Sequence, residues 1–530
     1  MLLITNIFLN HDFDFDNPSA AVARHLDIKK SDIAAAFLFR RSIDARKKNN
    51  VRFCCSFKAE LNINEDEFLK TSAVTGVSKC HSNDYEFCRE PIETQEKIVI
   101  AGFGPAGMFA ALTLARRGVC PIVIERGEDV DSRIKSVSVF QNGGILNANS
   151  NIQFGEGGAG TFSDGKLNTG IKDPRCRAVL KEFALHGASS DILVNAKPHI
   201  GTDVLPTVVK NIRKEITELG GKILFNTCLN GINVQNGVVK SIAALQNGNS
   251  ITIPCDKLLL CLGHSARDTF ELLLENGIEM QQKPFAVGAR IEHPQKLIDR
   301  AQLGDGADFL EFIPADYKLS AHLKNGRGVY TFCMCPGGSV VNASSERGGI
   351  CTNGMSNFLR NGKNANSALL VGVEPSDFPS SHPLAGVEFQ RKIERRAFEI
   401  AGGYSAPSQT VGDFLKHRPS SGHSVVLPTI QPAPHYCSID DCLPSFITDS
   451  MREGIKLFSK RLHGFDDSGA LLTAPETRSS SPVRILRNAV REANITGIFP
   501  CGEGAGYAGG ITSAAVDGIR TAEEVAERII

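Results

Sequence analysis

The chain has 530 residues, which is enough for two to four domains with substantial hydrophobic cores. Its 58 basic and 58 acidic side chains balance, so we expect no nucleic-acid partner, and no apolar run is long enough to span a membrane. The 15 cysteines form neither a pair of C-x-x-C motifs nor a four-cysteine iron–sulfur run, which argues against a metal centre and favours buried thiols in the cytoplasm.

Residues 1–92 predict a small α+β domain. MLLITNIF and VRFCCSFKAEL are typical of strands, the second by its alternation of apolar residues. SAAVARHLDI and KSDIAAAFLFRRSIDARKK between them predict a helix followed by a strand, and the polar HSNDYEFCREPIETQEK is typical of a linker. The basic run at 40–48 is either a solvated face or a docking patch for an acidic carrier or RNA.

An α/β pattern begins with KIVIAGFGPAGMFAALTLARRGVCPIVIERG, which predicts strand, helix and strand. GFGPAG fits the G-x-G-x-x-G dinucleotide fingerprint. Gly102 permits the tight turn, Gly104 lets the backbone approach a pyrophosphate, and Gly107 lets the helix pack on the strand. The helix starts at Pro105 and Ala106, so its free N–H groups and dipole face the anion. A βαβ unit without a ligand is the alternative.

Glu125 ends the second strand, where a carboxylate accepts hydrogen bonds from ribose hydroxyls. Its charge would repel a 2′-phosphate, so NADP is disfavoured and FAD or NAD remains. Glu125 with Arg126 resembles the corresponding pair of FAD-binding two-dinucleotide folds.

The remaining chain divides into an irregular region and a return to the α/β pattern. Residues 205–284 predict helix, short strands, strand, turn and helix, and residues 285–470 are rich in Gly, Pro, Ser and Asn. The last segment, NITGIFPCGEGAGYAGGITSAAVDGI and onward, again predicts a strand, a glycine-rich turn and a helix.

That last segment resembles the closing motif of FAD-dependent oxidoreductases of the glutathione-reductase type. In that motif the strand end and its acid, here Gly502 and Glu503, meet the ribityl chain and the pyrophosphate. The next helix N-terminus, here Gly510, Ile511 and Thr512, points at the isoalloxazine, whose reduced form is negatively charged there. The resemblance favours FAD over NAD as the bound dinucleotide. The alternative is a glycine-rich loop before an ordinary helix.

KLLLCLGHSARDTF resembles the middle motif of the same folds, in which a strand ends beside the FAD pyrophosphate. The residues concerned are Gly263 and Arg267. The alternative is a strand-to-helix turn with Arg267 on the surface.

Three further segments narrow the resemblance: NIQFGEGGAGTFSDGKLNTGIKD, TFCMCPGGSVVNASSERGGICTNGMS and PETRSSSPVRI. With them the chain is similar, over nearly its whole length, to the FAD-dependent family of NAD(FAD)-utilising dehydrogenases. The resemblance implies a Rossmann-like FAD-binding domain of the glutathione-reductase-2 type at 93–284 and 471–530. It also implies an inserted α+β substrate domain at 285–470 and a ferredoxin-like α+β domain without a cluster at 1–92. It implies no substrate.

Within these segments we expect the following chemistry. Gly158, Ala159 and Gly160 approach the FAD pyrophosphate and ribityl region, by family resemblance, and Lys166 lies near the flavin, where it stabilises the reduced form or activates oxygen. The alternative is a surface loop.

Cys333 and Cys335 lie two residues apart on a predicted strand and so point the same way. They line a substrate pocket, form a redox pair under local distortion, or are two small buried hydrophobic residues; a regular strand does not readily close such a disulfide.

Arg478 and Arg484, with three serines between them, are typical of anion recognition and favour a carboxylate substrate. An ordinary loop with solvated or ion-paired arginines is the alternative.

These patterns predict an FAD-dependent oxidoreductase that moves hydride or electrons to or from a small substrate. With one glycine fingerprint, NAD(P)H would dock transiently, or the reductant is an organic substrate or a protein electron carrier. The alternatives are a flavoprotein redox sensor or interaction protein, and an FAD-dependent RNA-modifying enzyme, which the zero net charge disfavours.

Overall fold

The computed structural model describes residues 1–80, 85–308, 313–422 and 424–529. Residues 1–80 form a four-stranded antiparallel sheet in the order β2-β3-β1-β4, with a β-α-β-β-α-β sequence of elements. Alternate residues of β3 (Phe53, Cys55, Phe57) are buried together with Val22 and Leu26 of α1, as the predicted alternation requires. The elements are β1 (Leu2–Leu9), α1 (Ser19–Leu26), β2 (Ile33–Asp44), β3 (Arg52–Leu61), α2 (Glu65–Thr71) and β4 (Val77–Lys79).

The next part of the chain begins with the predicted strand, helix and strand, and continues with three α-helices, five strands and a final α-helix. It contains β5 (Ile98–Ala101), α3 (Pro105–Ala115), β6 (Ile122–Ile124), α4 (Val130–Gln141), α5 (Arg175–Leu185), α6 (Leu205–Glu218), β7 (Lys222–Leu224), β8 (Thr227–Gln235), β9 (Val238–Gln246), β10 (Asn249–Pro254), β11 (Lys257–Leu260) and α7 (Arg267–Glu275).

The region predicted as irregular contains a long mixed sheet. Its elements are β12 (Met280–Gln282), β13 (Phe285–Pro294), α8 (Gln295–Leu303), β14 (Ser320–His322), β15 (Gly328–Cys335), β16 (Ser339–Asn342), β17 (Thr352–Met355), β18 (Asn364–Val373), α9 (Ala385–Ala401), β19 (Pro407–Thr410), α10 (Val411–Leu415), β20 (His435–Tyr436), α11 (Ser445–Ser459) and β21 (Leu471–Glu476).

Seven of these strands form one sheet in the order β14-β15-β18-β13-β21-β19-β20, antiparallel except at β19–β20. β13 and β18 are buried along almost their whole length, so both faces of the sheet are covered. β21 also lies in this sheet, so the sheet continues to Glu476, beyond residue 470, where the inserted region is predicted to end.

The chain then returns to the first α/β layer through β22 (Val483–Ile485), β23 (Ile498–Pro500) and α12 (Ile511–Arg528). A parallel sheet in the order β23-β11-β5-β6-β7 results. One face is covered by α3, α5, α6 and α12, and the other by the β8–β10 meander and α7. No helix among the described residues has the length and hydropathy of a transmembrane segment.

Two glycines bring α3 close to its neighbours. A Cβ on Gly107 would lie 1.9 Å from the carbonyl oxygen of Gly102, and a Cβ on Gly518 of α12 would lie 2.2 Å from that of Ala106. α3 is therefore pressed against both the turn after β5 and α12, and ten of its eleven residues are buried.

Candidate functional site

A cavity of about 340 Å³ lies where the carboxyl ends of the parallel strands face the seven-stranded sheet. Ligands of open parallel sheets bind at this end of the strands. Sixteen of the predicted site residues line it: Gly102, Gly104, Pro105, Ala106, Glu125, Arg126, Gly158, Ala159, Gly160, Lys166, Gly263, Cys333, Arg478, Glu503, Gly510 and Ile511.

Two helix N-termini face this cavity. The N-cap residues are Gly104 for α3 and Gly510 for α12, and neither N-terminus is capped by a side chain. Uncapped N–H groups and the positive end of the helix dipole make such a terminus an anion-binding site. Two of them on one cavity fit a ligand with separated negative groups.

The cavity wall between these helices is backbone. A Cβ built on Gly158 would lie 3.0 Å from the Cα atom of Gly104, and Gly158 has a φ of 63°. Nothing lies within 4 Å of a Cβ built on Gly263 or Gly510, so at these two points the main chain faces open space. Such a surface fits the close backbone approach that a pyrophosphate requires.

Glu125 is held at the end of β6 by three main-chain donors. Its carboxylate accepts hydrogen bonds from the N–H groups of Phe103 (2.8 Å), Gly127 (2.9 Å) and Gly155 (3.0 Å). The next side chain, Arg126, lies over the ring of Phe154 with 4.4 Å between the guanidinium carbon and the ring centroid. This end of the cavity therefore combines a fixed acid with a stacked cation.

Sequence reasoning missed Arg133, which shapes the glycine-rich segment at 151–158. The fully buried guanidinium of Arg133 donates to the carbonyl oxygens of Asn151 (2.8 Å), Glu156 (2.7 Å) and Gly158 (2.9 Å). A Cβ on Gly155 would lie 2.4 Å from its Cδ atom. The arginine lies on a helix with no motif around it, so only the contact identifies its role.

The opposite end of the cavity carries two carboxylates. Burial raises the pKa of Glu503 to about 7, against the opposing charge of Lys283. Burial likewise raises the pKa of Glu476 to about 7, although Arg290 lies 2.6 Å from its Oε2 atom. Both carboxyl groups can therefore hold or release a proton near neutral pH.

Lys166 lines the same cavity as part of an ion cluster. Its Nζ atom is 2.8 Å from Oδ2 of the fully buried Asp164, which also accepts a hydrogen bond of 2.9 Å from Nε of Arg360. Lys166 further donates to the carbonyl oxygen of Met334. Burial alone would lower the pKa of Lys166, but the neighbouring sulfur atoms and Asp164 raise it. The lysine is thus a fixed cation at the cavity wall.

The two cysteines do not share a face, in contrast to the prediction. The β15–β18 register shifts between Phe332 and Cys335, and Cys333 has a φ of 44°, in the left-handed region. This bulge interrupts the alternation of the strand, so Cys333 lines the cavity whereas Cys335 is fully buried behind it.

Arg267, predicted beside the pyrophosphate, and Arg478, predicted to bind a substrate anion, share a protein partner instead. Both contact the buried carboxylate of Glu394: Nη2 of Arg267 donates to Oε1 (2.9 Å) and Nη2 of Arg478 donates to Oε2 (2.8 Å). Arg267 is buried away from the cavity lining, in contrast to its predicted place beside a pyrophosphate. Because the guanidinium group of Arg478 already donates hydrogen bonds to Glu394, this structure does not support a substrate carboxylate bound to Arg478.

Other predicted residues lie behind the lining. The N–H of Gly502, which has a φ of 77°, donates to Asp517 (2.8 Å), and Thr512 Oγ1 donates to the carbonyl oxygen of Leu167 (2.8 Å). Gly107 acts through packing, as described above. Arg484 lies over the ring of Tyr507, 5.2 Å from its centroid. These residues shape the turns that present the cavity wall.

One group of metal-ligand type lies elsewhere, among the described residues. Ligand atoms of Glu182, His186 and Glu215 lie within 4.8 Å of one another. Arg116 donates to both carboxylates, at 2.7 Å in each case, so a guanidinium already neutralises them. The cluster is an ion-paired network on the helical layer.

Comparison with protein families gives two matches. Residues 284–479 match the family model described as "FAD-dependent protein, C-terminal domain-like", and residues 1–60 match a "Domain of unknown function (DUF8436)". A protein of Clostridium beijerinckii (strain ATCC 51743 / NCIMB 8052), described as "Uncharacterized protein", is 47% identical to the chain over 99% of this chain and 98% of its own length.

Solved structures resemble the chain at a distance. Glycerol-3-phosphate dehydrogenase from Bacillus halodurans, complexed with FAD, shares 12% identity over 82% of this chain and 65% of its own, with a TM-score of 0.37. The FrdA chain of Escherichia coli quinol fumarate reductase shares 12% identity over 83% and 71%, with a TM-score of 0.37. Glycine oxidase from Bacillus cereus shares 11% identity over 82% and 95%, with a TM-score of 0.34.

Proposed function

The chain belongs to the same family as the Clostridium beijerinckii protein, and from that premise we propose that it is an FAD-dependent oxidoreductase. One observation carries the proposal: two uncapped helix N-termini and two separated acids, Glu125 and Glu503, line a single cavity at the carboxyl ends of a parallel sheet. The match of residues 284–479 to a domain of FAD-dependent proteins supports it.

The groups that line the cavity can be matched to successive parts of an FAD molecule. Glu125 would bind the ribose hydroxyls, and the N-terminus of α3 with Gly158 would bind the pyrophosphate. Glu503 would meet the ribityl chain, and the N-terminus of α12 at Gly510 would face the flavin. When bound, the flavin supplies the acceptance and donation of an electron pair.

The chain's own residues supply charge and protons around that group. Lys166 holds a positive charge at the cavity wall, fixed by Asp164. The carboxyl groups of Glu476 and Glu503, with a pKa of about 7, hold or release a proton at their oxygens. The exposed ring of Phe332 forms an apolar part of the wall, which suits a small organic substrate.

The finer fold assignment forms part of the proposal. We regard residues 1–80 as a ferredoxin-like unit, a view supported by their β-α-β-β-α-β sequence of elements and the order β2-β3-β1-β4. We regard the parallel sheet as a Rossmann-like FAD-binding unit of the glutathione-reductase-2 type, and the seven-stranded sheet as the inserted substrate unit. The cavity between them then joins cofactor and substrate.

The electron donor follows from the single glycine fingerprint. With no second one in the sequence, NAD(P)H would bind only transiently, and a small organic substrate or a protein electron carrier is the alternative donor. We further propose a cytoplasmic location and no nucleic-acid partner, in line with the cysteine content and the balanced charge.

An anaerobic visible spectrum tests the proposal. The purified protein, reconstituted with FAD and passed through a desalting column, is expected to retain a flavin band, and NADH and NADPH are then added separately. Rapid bleaching by one of them identifies a nicotinamide donor, and a band that stays oxidised identifies an organic or protein donor. Absence of retained flavin would refute the assignment.

A further inference from the structure

We infer that Cys333 and Cys335 are a redox-active dithiol pair that exchanges with small disulfides entering the cavity. The inference rests on the proposed function, because the bound FAD is the partner that restores the dithiol. It adds an activity, thiol–disulfide exchange, and a substrate class, low-molecular-weight disulfides.

The backbone at the pair departs from a regular strand. Two residues apart on a strand, Cα atoms are separated by about 6.6 Å and their side chains run parallel, which hinders a disulfide. Here the bulge and the left-handed Cys333 turn the segment, and the Sγ atom of Cys335 lies 3.2 Å from the carbonyl oxygen of Cys333. A left-handed conformation at a non-glycine residue is strained and is concentrated at functional sites.

The two thiols are unequally accessible. Cys333 is half-buried and lines the cavity, whereas Cys335 is fully buried behind it. An accessible thiol with a buried neighbour is the arrangement of an attacking cysteine and its resolving cysteine. Neither forms a disulfide in this structure.

Two cations hold the segment that carries the sulfur atoms. Nη1 of Arg290 donates to the carbonyl oxygen of Cys333 (2.9 Å), and Lys166 donates to that of Met334. The positive charges of both side chains also lower the pKa of the Cys333 thiol, and so stabilise its thiolate, which is the reactive form of cysteine.

The charge distribution agrees with this division of roles. The neighbouring Cys335 thiol, with the charges of Lys166 and Arg290, holds the pKa of Cys333 well below its usual range, although burial opposes them. The neighbouring Cys333 sulfur and burial raise the pKa of Cys335. The cavity-facing sulfur is therefore the nucleophile.

The exchange balances in two steps. The Cys333 thiolate attacks a small disulfide, so a mixed disulfide forms and one thiolate leaves. Cys335 then attacks the Cys333 sulfur as its proton passes to the thiolate released in the first step, which forms the internal disulfide and releases the second thiolate. A reduced flavin bound in the cavity would supply the two electrons and two protons that restore the dithiol.

Mass spectrometry of the full-length flavoprotein tests the inference. The protein is equilibrated in anaerobic glutathione buffers of graded redox ratio, quenched with acid and alkylated with N-ethylmaleimide under denaturing conditions. Trypsin releases Cys333 and Cys335 together on residues 328–347 and Cys351, also buried, on residues 348–360. The first peptide is expected to lose the mass of two hydrogen atoms as the buffer becomes oxidising, while Cys351 remains alkylated.

Two variants distinguish thiol–disulfide exchange at Cys333 and Cys335 from general oxidation of the protein's thiols. Cys335→Ser is expected to retain flavin and to trap one glutathione on Cys333, because the resolving thiol is gone. Cys351→Ser is the matched control and is expected to behave as the wild type.

The flavin spectrum of each sample separates failure of the inference from failure of the proposed function. If flavin is retained but both thiols remain alkylated at every ratio, or if Cys335→Ser takes up no glutathione, the dithiol is ruled out and FAD binding stands. If no flavin is retained, the proposed function fails, and the inference fails with it.

Discussion

Arg267 and Glu394 are joined by two hydrogen bonds, from Nη1 to Oε2 at 2.8 Å and from Nη2 to Oε1 at 2.9 Å, and each residue is 1% exposed. Arg267 begins α7, which packs on the parallel sheet, whereas Glu394 lies on α9 of the inserted region. The same carboxylate also accepts a hydrogen bond from Nη2 of Arg478. The two large parts of the chain are thus tied together by one buried acid.

Glu394→Gln is therefore expected to destabilise the fold by about 3–5 kcal/mol, because two buried guanidinium groups lose their counter-charge. The free energy of unfolding in urea measures the effect. Glu399→Gln on the same helix is the control, since its ion pair with Arg396 is exposed and is expected to contribute at most about 1 kcal/mol. Equal losses for both variants would contradict the interpretation.

The same acid predicts a pH dependence. Burial alone would raise the pKa of Glu394, but Arg267 and Arg478 outweigh it and hold the pKa below its usual value of 4.5. The stabilisation is therefore present above that value and is lost as the pH falls through the lower folded-state pKa. Between pH 5 and acid conditions, the unfolding free energy of the wild type is expected to fall more steeply than that of Glu394→Gln.

Gly104→Val is expected to weaken FAD binding and to leave the fold intact. Gly104 has φ −78° and ψ −174°, which valine adopts without strain, and only Cα of Gly158 lies within 4 Å of an added Cβ, at 3.7 Å. The variant is expected to fold with wild-type circular dichroism and to bind FAD at least about tenfold more weakly, because the side chain enters the pyrophosphate site. Fluorescence titration with FAD measures this, and undiminished affinity would contradict it.

Gly107→Ala, in contrast, is expected to destabilise the fold itself. Its Cβ would lie 1.9 Å from the carbonyl oxygen of Gly102, so α3 cannot stay in place against the turn. We expect a loss of at least about 3 kcal/mol in unfolding free energy, the upper part of the usual range for overpacking. Gly170→Ala, at an exposed glycine with open space around it, is the control and should change little.

Glu503→Gln is expected to remove a pH dependence from the flavin-free protein. With a folded-state pKa raised from 4.5 to about 7, Glu503 holds a proton that the unfolded chain releases, so stability declines as the pH rises through this window. The contribution is on the order of 1–3 kcal/mol. Urea unfolding at pH 5 and pH 8 should show a smaller decline for the variant, and Glu527→Gln on the exposed side of α12 should match the wild type.

Lys166→Met is expected to slow alkylation of Cys333 by iodoacetamide about tenfold at a pH below the pKa of Cys333, because a loss of one pKa unit of thiolate stabilisation reduces the thiolate fraction there by that factor. The rate is followed on the peptide 328–347. Lys172→Met, at an exposed position, is the control. An unchanged rate would show that Lys166 does not act on the sulfur.

The glycine turns were the part of the site most accessible from the sequence. Gly102 and Gly104 lie between β5 and α3, and Gly107 lies in the first turn of α3, because a strand–turn–helix unit depends mainly on residues close together in the sequence. Cys333 and Cys335 were placed on one face because the strand was taken as regular, and the bulge that separates them arises from pairing with β18. Arg133 carried no local signal because its partners lie 18–25 residues further along the chain.

By itself, the sequence determined the strand–turn–helix units, the glycines that permit their close packing, and the acids at their ends, because local sterics and helix dipoles decide these features. Only the tertiary structure decided which charges meet. It directed Arg267 and Arg478 to Glu394, turned Cys333 toward the cavity beside Lys166, and placed β21 in the seven-stranded sheet. These outcomes depend on contacts between residues far apart in the chain, whose free energies no local pattern records.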